Sequence, residues 1–349
     1  MWVSSVTFQK DGRTMFTALF GSVEAGLIYA VMALGVYLSF RILDFPDLTV
    51  DGSFVTGAAV AAVLIINGTN PFTASFVALL AGFAAGCITG LLHTKGKINP
   101  LLSGILMMIA LYSINLRIMG RSNVPLLQEE TIITILTDWW QKIGIDQMIE
   151  NALIYMNLVD FVPKTWAIVV FMAFMVIIIK VLLDQFLKTE IGLALRATGD
   201  NKKMISSFSA NTDMLTIFGL GLSNALVAFS GALVAQYGGF SDVGMGIGMI
   251  IVGLASVIIG EALFGANSIA RATLAVIGGA IVYRIVVTLA LRVQFFETGD
   301  VKLITAFIVI AALIFPQFIA SQNEKRRKKL KSQLRGEHVA KAKKDYKNI

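Results

Sequence analysis

The sequence predicts an all-α, polytopic membrane protein of about 8–10 transmembrane helices with broken or re-entrant segments. Of its 349 residues, 56% are apolar and only 15% are charged, whereas about a quarter of the residues in a soluble domain are charged. The mean hydropathy is +0.77. Apolar runs close to the 20 residues that cross a bilayer recur along the chain, which places it in the membrane class.

Nine apolar runs are candidate spans, and none has the pattern of a soluble core helix. They cover residues 16–40, 53–68, 71–92, 100–119, 165–184, 214–236, 246–262, 270–291 and 301–320. The run at 53–68 is short, and Gly68 and Pro71 indicate a tight turn after it. We therefore expect an N-terminal segment (1–15), a transmembrane domain (16–320) and a polar tail (321–349).

The distribution of Lys and Arg predicts the orientation of the chain. The tail carries 11 basic and three acidic residues, so we expect a cytoplasmic C-terminus at a cell or inner membrane. Counting back places the loop with Lys95 and Lys97 and the inner loop 185–213 on the cytoplasmic side. The acidic outer loop 120–164 falls outside. Because nine is an odd number of spans, the N-terminus is then expected outside as well. The basic residues Lys10 and Arg13 argue weakly against that placement.

Several classes of function are disfavoured by composition. The basic tail is typical of an anchor beside anionic lipids rather than of a nucleic-acid surface, because the rest of the chain is nearly neutral. A single cysteine, Cys87, allows no disulfide framework or cysteine metal site. The spans hold no cluster of His, Cys or paired acids, so we expect no enzyme activity, catalytic residue or metal site.

The inner loop has the pattern of two short helices between membrane spans. In TEIGLALRATGDNKKMISSFSANTD (189–213), Thr189 can cap the first helix and Glu190 suits its N-terminus. Gly199 stands where a left-handed residue would end that helix, and Asp200 could cap the second. The alternative is a solvated loop with an amphipathic helix lying on the bilayer.

Three segments together resemble the permease subunits of branched-chain amino acid type ABC importers. In GLALRATGDNKKMISSFSAN, the residues Gly192, Arg196, Ala197, Asp200 and Asn201 match the coupling segment of that family. The runs GLIYAVMALGVYLSFRILDFPDLTVDGSFVTGAAVAA and GLSNALVAFSGALVAQYGGFSDVGMGIGMIIVGLASVIIGEALFG also match in order and spacing. The stretch DFPDLTVDG departs from the Asn-Phe-Ala-His-Gly-like segment of the family, which favours a tryptophan, tyrosine or uncharacterised-substrate branch. The resemblance covers about residues 16–320.

The resemblance implies a fold like that of type II ABC importer permeases and a set of partners. These are a second permease copy, two cytoplasmic ATPase subunits and an extracytoplasmic substrate-binding lipoprotein that delivers an amino acid, aromatic or branched-chain. The chain has no phosphate-binding loop, since TKGKIN lacks its first Gly and its Ser or Thr. ATP and Mg²⁺ are therefore expected on the partner, with no cofactor in this chain. The alternative is an ion-coupled secondary transporter.

The resemblance also implies a role for the inner loop in coupling to the ATPase. Phe208 and Met204 are predicted to enter a groove on the ATPase, beside Ile205 on one face of the second helix. Arg196 and Lys203 are predicted contacts at the rim. Asp200 belongs to the same coupling set.

The outer loop is predicted to contain an amphipathic helix. In ETIITILTDWWQKIGIDQMIENALIYM (130–156), apolar residues recur on one helical face. They are Ile133, Leu136, Trp139, Trp140, Ile143 and Met148. Two interpretations are open: an interfacial helix that shields the bundle, or a landing surface for the binding protein.

Acidic residues beside a helix break are candidates for the substrate pathway. Pro46 and Gly52 interrupt RILDFPDLTVDGSF near Asp47 and Asp51, and irregular backbone at membrane depth is tolerated only when it is buried in protein or lines water. A partial echo, F-S-D-V-G-M-G at 240–246, contains Asp242, and interrupted segments in the two halves of a transporter mark its pathway. The alternative is that Asp47 and Asp51 cap the helix that follows.

Charges within the spans also need partners, because they are costly there. Glu24 is the fourth candidate pathway residue, and it could pair with Arg284 or face the pore together with it. Asn224 is predicted to form a helix–helix hydrogen bond.

Overall fold

The computed structural model describes residues 2–155, 163, 165–207 and 211–291, together with positions 303, 306–308, 310 and 314, which are helical. The chain divides into two units, residues 1–305 and 306–349. All that follows concerns the first unit.

Eleven helices and two short strands make up the described part of this unit. In chain order they are α1 (Trp2–Tyr37), α2 (Thr49–Ile66), α3 (Pro71–Thr94), α4 (Pro100–Met119), β1 (Asn123–Pro125), α5 (Ile132–Ile143), α6 (Ile145–Tyr155), α7 (Ala167–Phe186), α8 (Glu190–Ser207), α9 (Thr212–Gly238), β2 (Phe240–Asp242), α10 (Met249–Phe264) and α11 (Ile269–Leu291). A π-helical turn, Leu38–Ile42, extends α1.

Seven helices of the described residues are long and apolar enough to cross a membrane, and α10 is a shorter apolar helix. The predicted all-α polytopic fold with broken segments is therefore confirmed. Eight of the nine predicted runs correspond to these helices. The ninth, 301–320, lies largely outside the described residues.

Local sequence signals explain where several spans begin and end. The side chains of Asn70 and Asn99 accept hydrogen bonds from the backbone N–H two residues later, and a proline follows each of them at the first helical position. This pairing of a capping amide with Pro is a strong helix start. Gly239 ends α9 with a φ of 75°, a left-handed conformation that glycine adopts without strain.

Glycines let α2, α3 and α9 pack backbone against backbone. A Cβ added to Gly57 of α2 would lie 1.8 Å from the carbonyl oxygen of Ala228, and one added to Gly86 of α3 would lie 2.2 Å from that of Leu220. Close approach at small residues is the usual way in which membrane helices associate. Helix α9 therefore packs closely against both α2 and α3 at these glycines.

The two ends of the bundle carry different structures. At one end β1 pairs antiparallel with β2, and the Ile132 N–H at the start of α5 donates to the Gln236 side chain near the end of α9. At the same end the ring of Phe20 in α1 contacts Trp166 just before α7, with centroids 5.0 Å apart. The first span therefore starts at the end that carries the outer loop. Helix α8 lies at the opposite end.

Two interruptions place irregular backbone within the bundle. After the π-turn, residues 43–48 lead into α2, and Asp47 reaches Asn224, near the midpoint of α9. After β2, residues 243–248 lead into α10. With 18 and 16 residues, α2 and α10 are about 27 and 24 Å long, short of the ~30 Å hydrocarbon core.

Candidate translocation and coupling sites

Asp51 joins the two interruptions. Its carboxylate accepts hydrogen bonds from the backbone N–H groups of Gly248 (2.9 Å) and Ile250 (2.8 Å) at the N-terminus of α10. A carboxylate is the preferred partner there, because the first N–H groups of a helix have no partner within it and carry partial positive charge. The predicted capping role is thus present, but Asp51 caps α10 rather than its own helix.

The two segments with similar sequences, Phe45–Gly52 and Phe240–Gly246, are in contact with each other. A Cβ on Gly246 would lie 2.1 Å from the carbonyl oxygen of Asp51, so the second segment crosses the first at van der Waals distance. Gly248 has a φ of +90°, which turns the chain into α10.

Asp47 lies just before α2 and is completely buried. One of its oxygens accepts from the Thr49 N–H (2.9 Å), which is the predicted local cap, and the other accepts from the Asn224 amide (2.6 Å). The hydrogen bond expected of Asn224 is present, but it does not join two helices, because Asp47 lies in the irregular segment before α2. Asp47 holds the broken segment against α9 in this conformation.

The other two pathway candidates lie nearer the strand end. Asp242 ends β2, is half-buried, and accepts a hydrogen bond from the Gly244 N–H at 2.8 Å. Glu24 of α1 is buried and accepts a hydrogen bond from the Tyr237 hydroxyl at 2.9 Å. A role in the pathway stays a prediction for all four carboxylates.

A direct ion pair between Glu24 and Arg284 is not among the three that the described residues form. Arg284 instead lies over the ring of Tyr29, with its guanidinium carbon 4.6 Å from the ring centroid. The predicted pairing of Glu24 with Arg284 was wrong, because each group has an aromatic partner instead. The Glu24 carboxylate accepts from a phenol hydroxyl, and the Arg284 guanidinium lies on the face of a ring.

The inner loop forms a kinked helix, as its pattern predicted, but the kink lies elsewhere. Thr189 accepts from the Gly192 N–H, which confirms its capping role. The non-helical residue is Asn201, and its side chain accepts from the Met204 N–H at 3.1 Å. Asn201 thus takes the capping role expected of Asp200, which is exposed.

Gly199 is helical and serves close packing rather than a left-handed turn. A Cβ there would lie 2.1 Å from the carbonyl oxygen of Ile42, at the π-helical end of α1. The first half of α8 therefore rests directly on α1. At the same end, Arg41 bridges to Glu261 of α10 at 2.9 Å.

The predicted coupling residues lie at this end where the structure describes them. Arg196 is half-buried on the first half of α8, and Met204 is 50% exposed on the second half. Lys203 belongs to α8, but its side chain and Phe208 lie outside the described residues. Their role in coupling stays a prediction.

The outer loop contains the predicted amphipathic helix only in part. Helix α5 packs on the bundle, but a left-handed Gly144 ends it, and Met148 lies on α6 with 72% of its surface exposed. Ile133 and Leu136 contact the main core cluster, and Trp140 is buried with its indole N–H donated to Asp146 at 2.8 Å. Trp139 and Ile143 remain half-exposed. This arrangement favours the interpretation of a shielding helix, while the exposed residues leave room for a landing surface.

The sequence analysis did not identify one buried charged residue, Asp184. Asp184 of α7 pairs with Lys180 one turn earlier, and the Thr273 hydroxyl of α11 donates to its second oxygen at 2.7 Å. The spacing of four residues was visible in the sequence, but Thr273 lies 89 positions away and gave no signal.

These features define a class of protein: a multi-pass membrane transport permease with interrupted helices inside the bundle and a kinked helix at one end. The chain belongs to the family described as branched-chain amino acid transport system / permease component, whose model matches residues 18–315. The resemblance noted in three segments of the sequence is confirmed by this match.

Two known proteins and one solved structure are similar to this chain. The chain is 44% identical over 287 residues to the tyrosine transport system permease protein of Clostridioides difficile (strain R20291), covering 82% of this chain and 87% of the relative. It is 36% identical over 246 residues to an uncharacterized protein of Rickettsia prowazekii (strain Madrid E), covering 70% and 78%. A solved structure of an inward-facing metal-chelate type ABC transporter aligns with a TM-score of 0.44 at 18% identity, over 87% of this chain and 84% of that one.

Proposed function

We propose that this chain is the membrane-spanning permease subunit of an ABC importer for an aromatic amino acid, with tyrosine as the first substrate to test. The main support for this proposal is the family match over residues 18–315, together with the 44% identity to a tyrosine transport system permease protein. ATP and Mg²⁺ bind two partner ATPases, and a binding lipoprotein delivers the amino acid to a homodimer of this chain.

In this proposal the end of the bundle that carries α8 faces the cytoplasm. Support comes from basic residues there, among them Arg41, Lys95, Lys97 and Lys188, and from acidic residues in the outer loop. The tail 321–349 then lies inside the cell at the plasma or inner membrane. The strand end, with α5, faces the binding protein.

We further propose that Asp51 positions the pathway rather than binding the substrate. Its two acceptor atoms are taken up by the N-terminus of α10. Asp47 supports the other interruption through Asn224, whereas Glu24 and Asp242 lie toward the side from which substrate arrives. Movement of α8 reaches these elements through the contact of Gly199 with the end of α1.

The function is tested by reconstituting the chain in vesicles with its ATPase and binding protein and measuring uptake of labelled tyrosine. We expect uptake that requires ATP, both partners and the intact chain. Concentrative uptake by this chain alone, abolished by an ionophore, would instead establish the ion-coupled secondary transporter.

Coupling is tested by placing a charge on the second half of α8. Met204→Asp is expected to abolish ATP-driven uptake while the ATPase still turns over, because a carboxylate does not enter an apolar groove. Phe208→Asp should behave in the same way. The matched control is Met214→Asp in the first turn of α9, where a carboxylate suits the helix N-terminus. Normal uptake by Met204→Asp and Phe208→Asp would refute the coupling assignment.

A further inference from the structure

Glu24 and Arg284 are opposite charges at a similar depth in the bundle. Glu24 is nine positions after Met15, where the first span begins at the strand end, and Arg284 is seven positions before Leu291 in α11. Helix α11 starts near the α8 end, where its Thr273 contacts the last part of α7, so it runs toward the strand end. At 1.5 Å per residue, the two charges are about 13 Å and 10 Å from the strand ends of their helices.

The two charges share a neighbour, the hydroxyl of Tyr237 at the end of α9. Glu24 accepts a hydrogen bond from it at 2.9 Å, and Arg284 interacts with it electrostatically. The helices that carry the charges also cross here, because a Cβ on Gly26 would lie 2.8 Å from the Cα of Ile281. Glu24 and Arg284 are therefore close together, although the ion pairs of the described residues include none between them.

Each charge leaves its strongest hydrogen-bonding groups unused. Within the described part of the chain, Arg284 lies over the ring of Tyr29 and forms no hydrogen bond or ion pair, although a guanidinium has five N–H donors. Glu24 uses one carboxylate oxygen for Tyr237 and leaves the other without a hydrogen bond. The Tyr29 ring is stacked on Phe54, with centroids 6.1 Å apart, so the guanidinium rests on a fixed support.

The unused atoms lie on a surface that a small molecule can reach. Among the described residues, fully buried side-chain N and O atoms without a hydrogen bond occur in Ser53, Asn115 and Asn224. The unused atoms of Glu24 and Arg284 are not in this group, so they are accessible. A charged side chain at membrane depth faces protein or water rather than lipid. The surface therefore borders a water-filled path or a second copy of the chain.

The chemical complement of this surface carries one negative and one positive group. A carboxylate matches the planar donor fork of Arg284, and an ammonium group matches the unused oxygen of Glu24. A free amino acid carries both groups on one carbon atom. Its two charges also cancel, as do those of Glu24 and Arg284, so binding leaves no net charge inside the membrane.

We propose that Glu24 and Arg284 form a binding site for the zwitterionic head of the transported amino acid. Arg284 holds its carboxylate and Glu24 holds its ammonium group. This inference rests on the proposed function, because it takes the cargo to be an amino acid. The site discriminates against molecules that lack either group, since a missing group leaves one of the two charges without a partner.

The test measures ligand binding by the full-length chain in lipid nanodiscs, without ATPase or binding protein, by saturation-transfer difference NMR. The ligands are tyrosine, tyramine, which lacks the carboxylate, and 3-(4-hydroxyphenyl)propionate, which lacks the ammonium group. We expect tyrosine to bind about tenfold or more tightly than either analogue. Equal binding of the three ligands would overturn the proposal, and this comparison remains decisive if a variant fails to fold.

Two substitutions assign the roles of the two charges. Glu24→Gln should weaken tyrosine binding by about tenfold or more and leave 3-(4-hydroxyphenyl)propionate unchanged or tighter. Arg284→Gln should weaken tyrosine binding by a similar factor and leave tyramine unchanged or tighter. Glu130→Gln and Arg121→Gln, the same changes at exposed positions, should leave all three ligands unchanged. A uniform loss for the three ligands would show a structural role and contradict the proposal.

Uptake by the reconstituted importer separates this inference from the proposed function. Tyrosine uptake at an unchanged rate by Glu24→Gln and Arg284→Gln would refute the zwitterion site and leave the proposed function standing. Uptake of another amino acid but not of tyrosine would refute the tyrosine assignment, and the site must then show the same binding pattern with that amino acid and its two analogues. A dimer weakened by either single substitution and restored by both together would show that the charges pair across two copies, which would overturn the proposal.

Discussion

Replacing Asp51 with Asn is expected to lower the maximal rate of tyrosine uptake by about tenfold or more, with little change in KM. The Asn side chain keeps one acceptor for the N-terminus of α10 and turns an amide N–H₂ toward the second backbone donor. A hydrogen bond to a charged acceptor contributes about 1.5–3 kcal/mol, and 1.4 kcal/mol is a factor of ten. Because one of the two N–H groups, that of Gly248 or that of Ile250, loses its acceptor, the contact between α2 and α10 weakens.

The control is Asp44→Asn, the same chemical change in the same segment. Asp44 is exposed and has a φ of 51°, a left-handed conformation that Asn also adopts. Uptake by this variant should match that of the unaltered chain. A raised KM with an unchanged maximal rate for Asp51→Asn would make Asp51 a substrate ligand and contradict the positioning role.

Replacing Gly57 with Ala is expected to have the largest effect on stability, although it adds a single methyl group. The new Cβ would lie 1.8 Å from the Ala228 carbonyl oxygen and 2.6 Å from its Cα, and backbone atoms cannot turn aside as a side chain can. Overpacking typically costs about 1–3 kcal/mol, and we expect this site at or above the upper end. Thermal unfolding in detergent, followed by loss of the monodisperse chromatographic peak, measures the effect.

Gly21→Ala provides the matched comparison. A Cβ on Gly21, in the α-helical part of α1, meets nothing within 4 Å. Alanine is favoured over glycine in a helix by about 1 kcal/mol, so this variant should unfold at the same or a slightly higher temperature. Equal stability of the two variants would show that α2 and α9 separate readily and would refute the close contact.

The features that could be predicted from the sequence are those that depend on a few neighbouring residues. Apolar runs gave the spans, Pro46 the break before α2, and Thr189 the start of α8. The spacing of Ile133, Leu136 and Trp140 gave the amphipathic helix on the outer loop. Each of these sequence patterns determines local structure within one or two helical turns, and tertiary packing does not change that local structure.

The site itself depends on contacts that no local pattern contains. Asp51 and Gly248 lie 197 positions apart, and Glu24 and Tyr237 lie 213 apart. A capping aspartate looks the same in sequence whether it caps its own helix or another. Gly199 was misread for a related reason, because a glycine required by a close neighbour resembles a glycine required by a turn.

The irregular backbone before α2 also constrains how the chain is made. Residues 43–48 lie within the bundle only because Asn224 of α9 holds Asp47, and α2 meets α10 through Asp51. Those partners lie 177 and 197 positions further along the chain, and exposed peptide groups are not tolerated in lipid without protein around them. We therefore expect the first two helices to complete their packing only after α9 and the start of α10 have been synthesised, so that assembly of the bundle does not proceed one finished helix at a time.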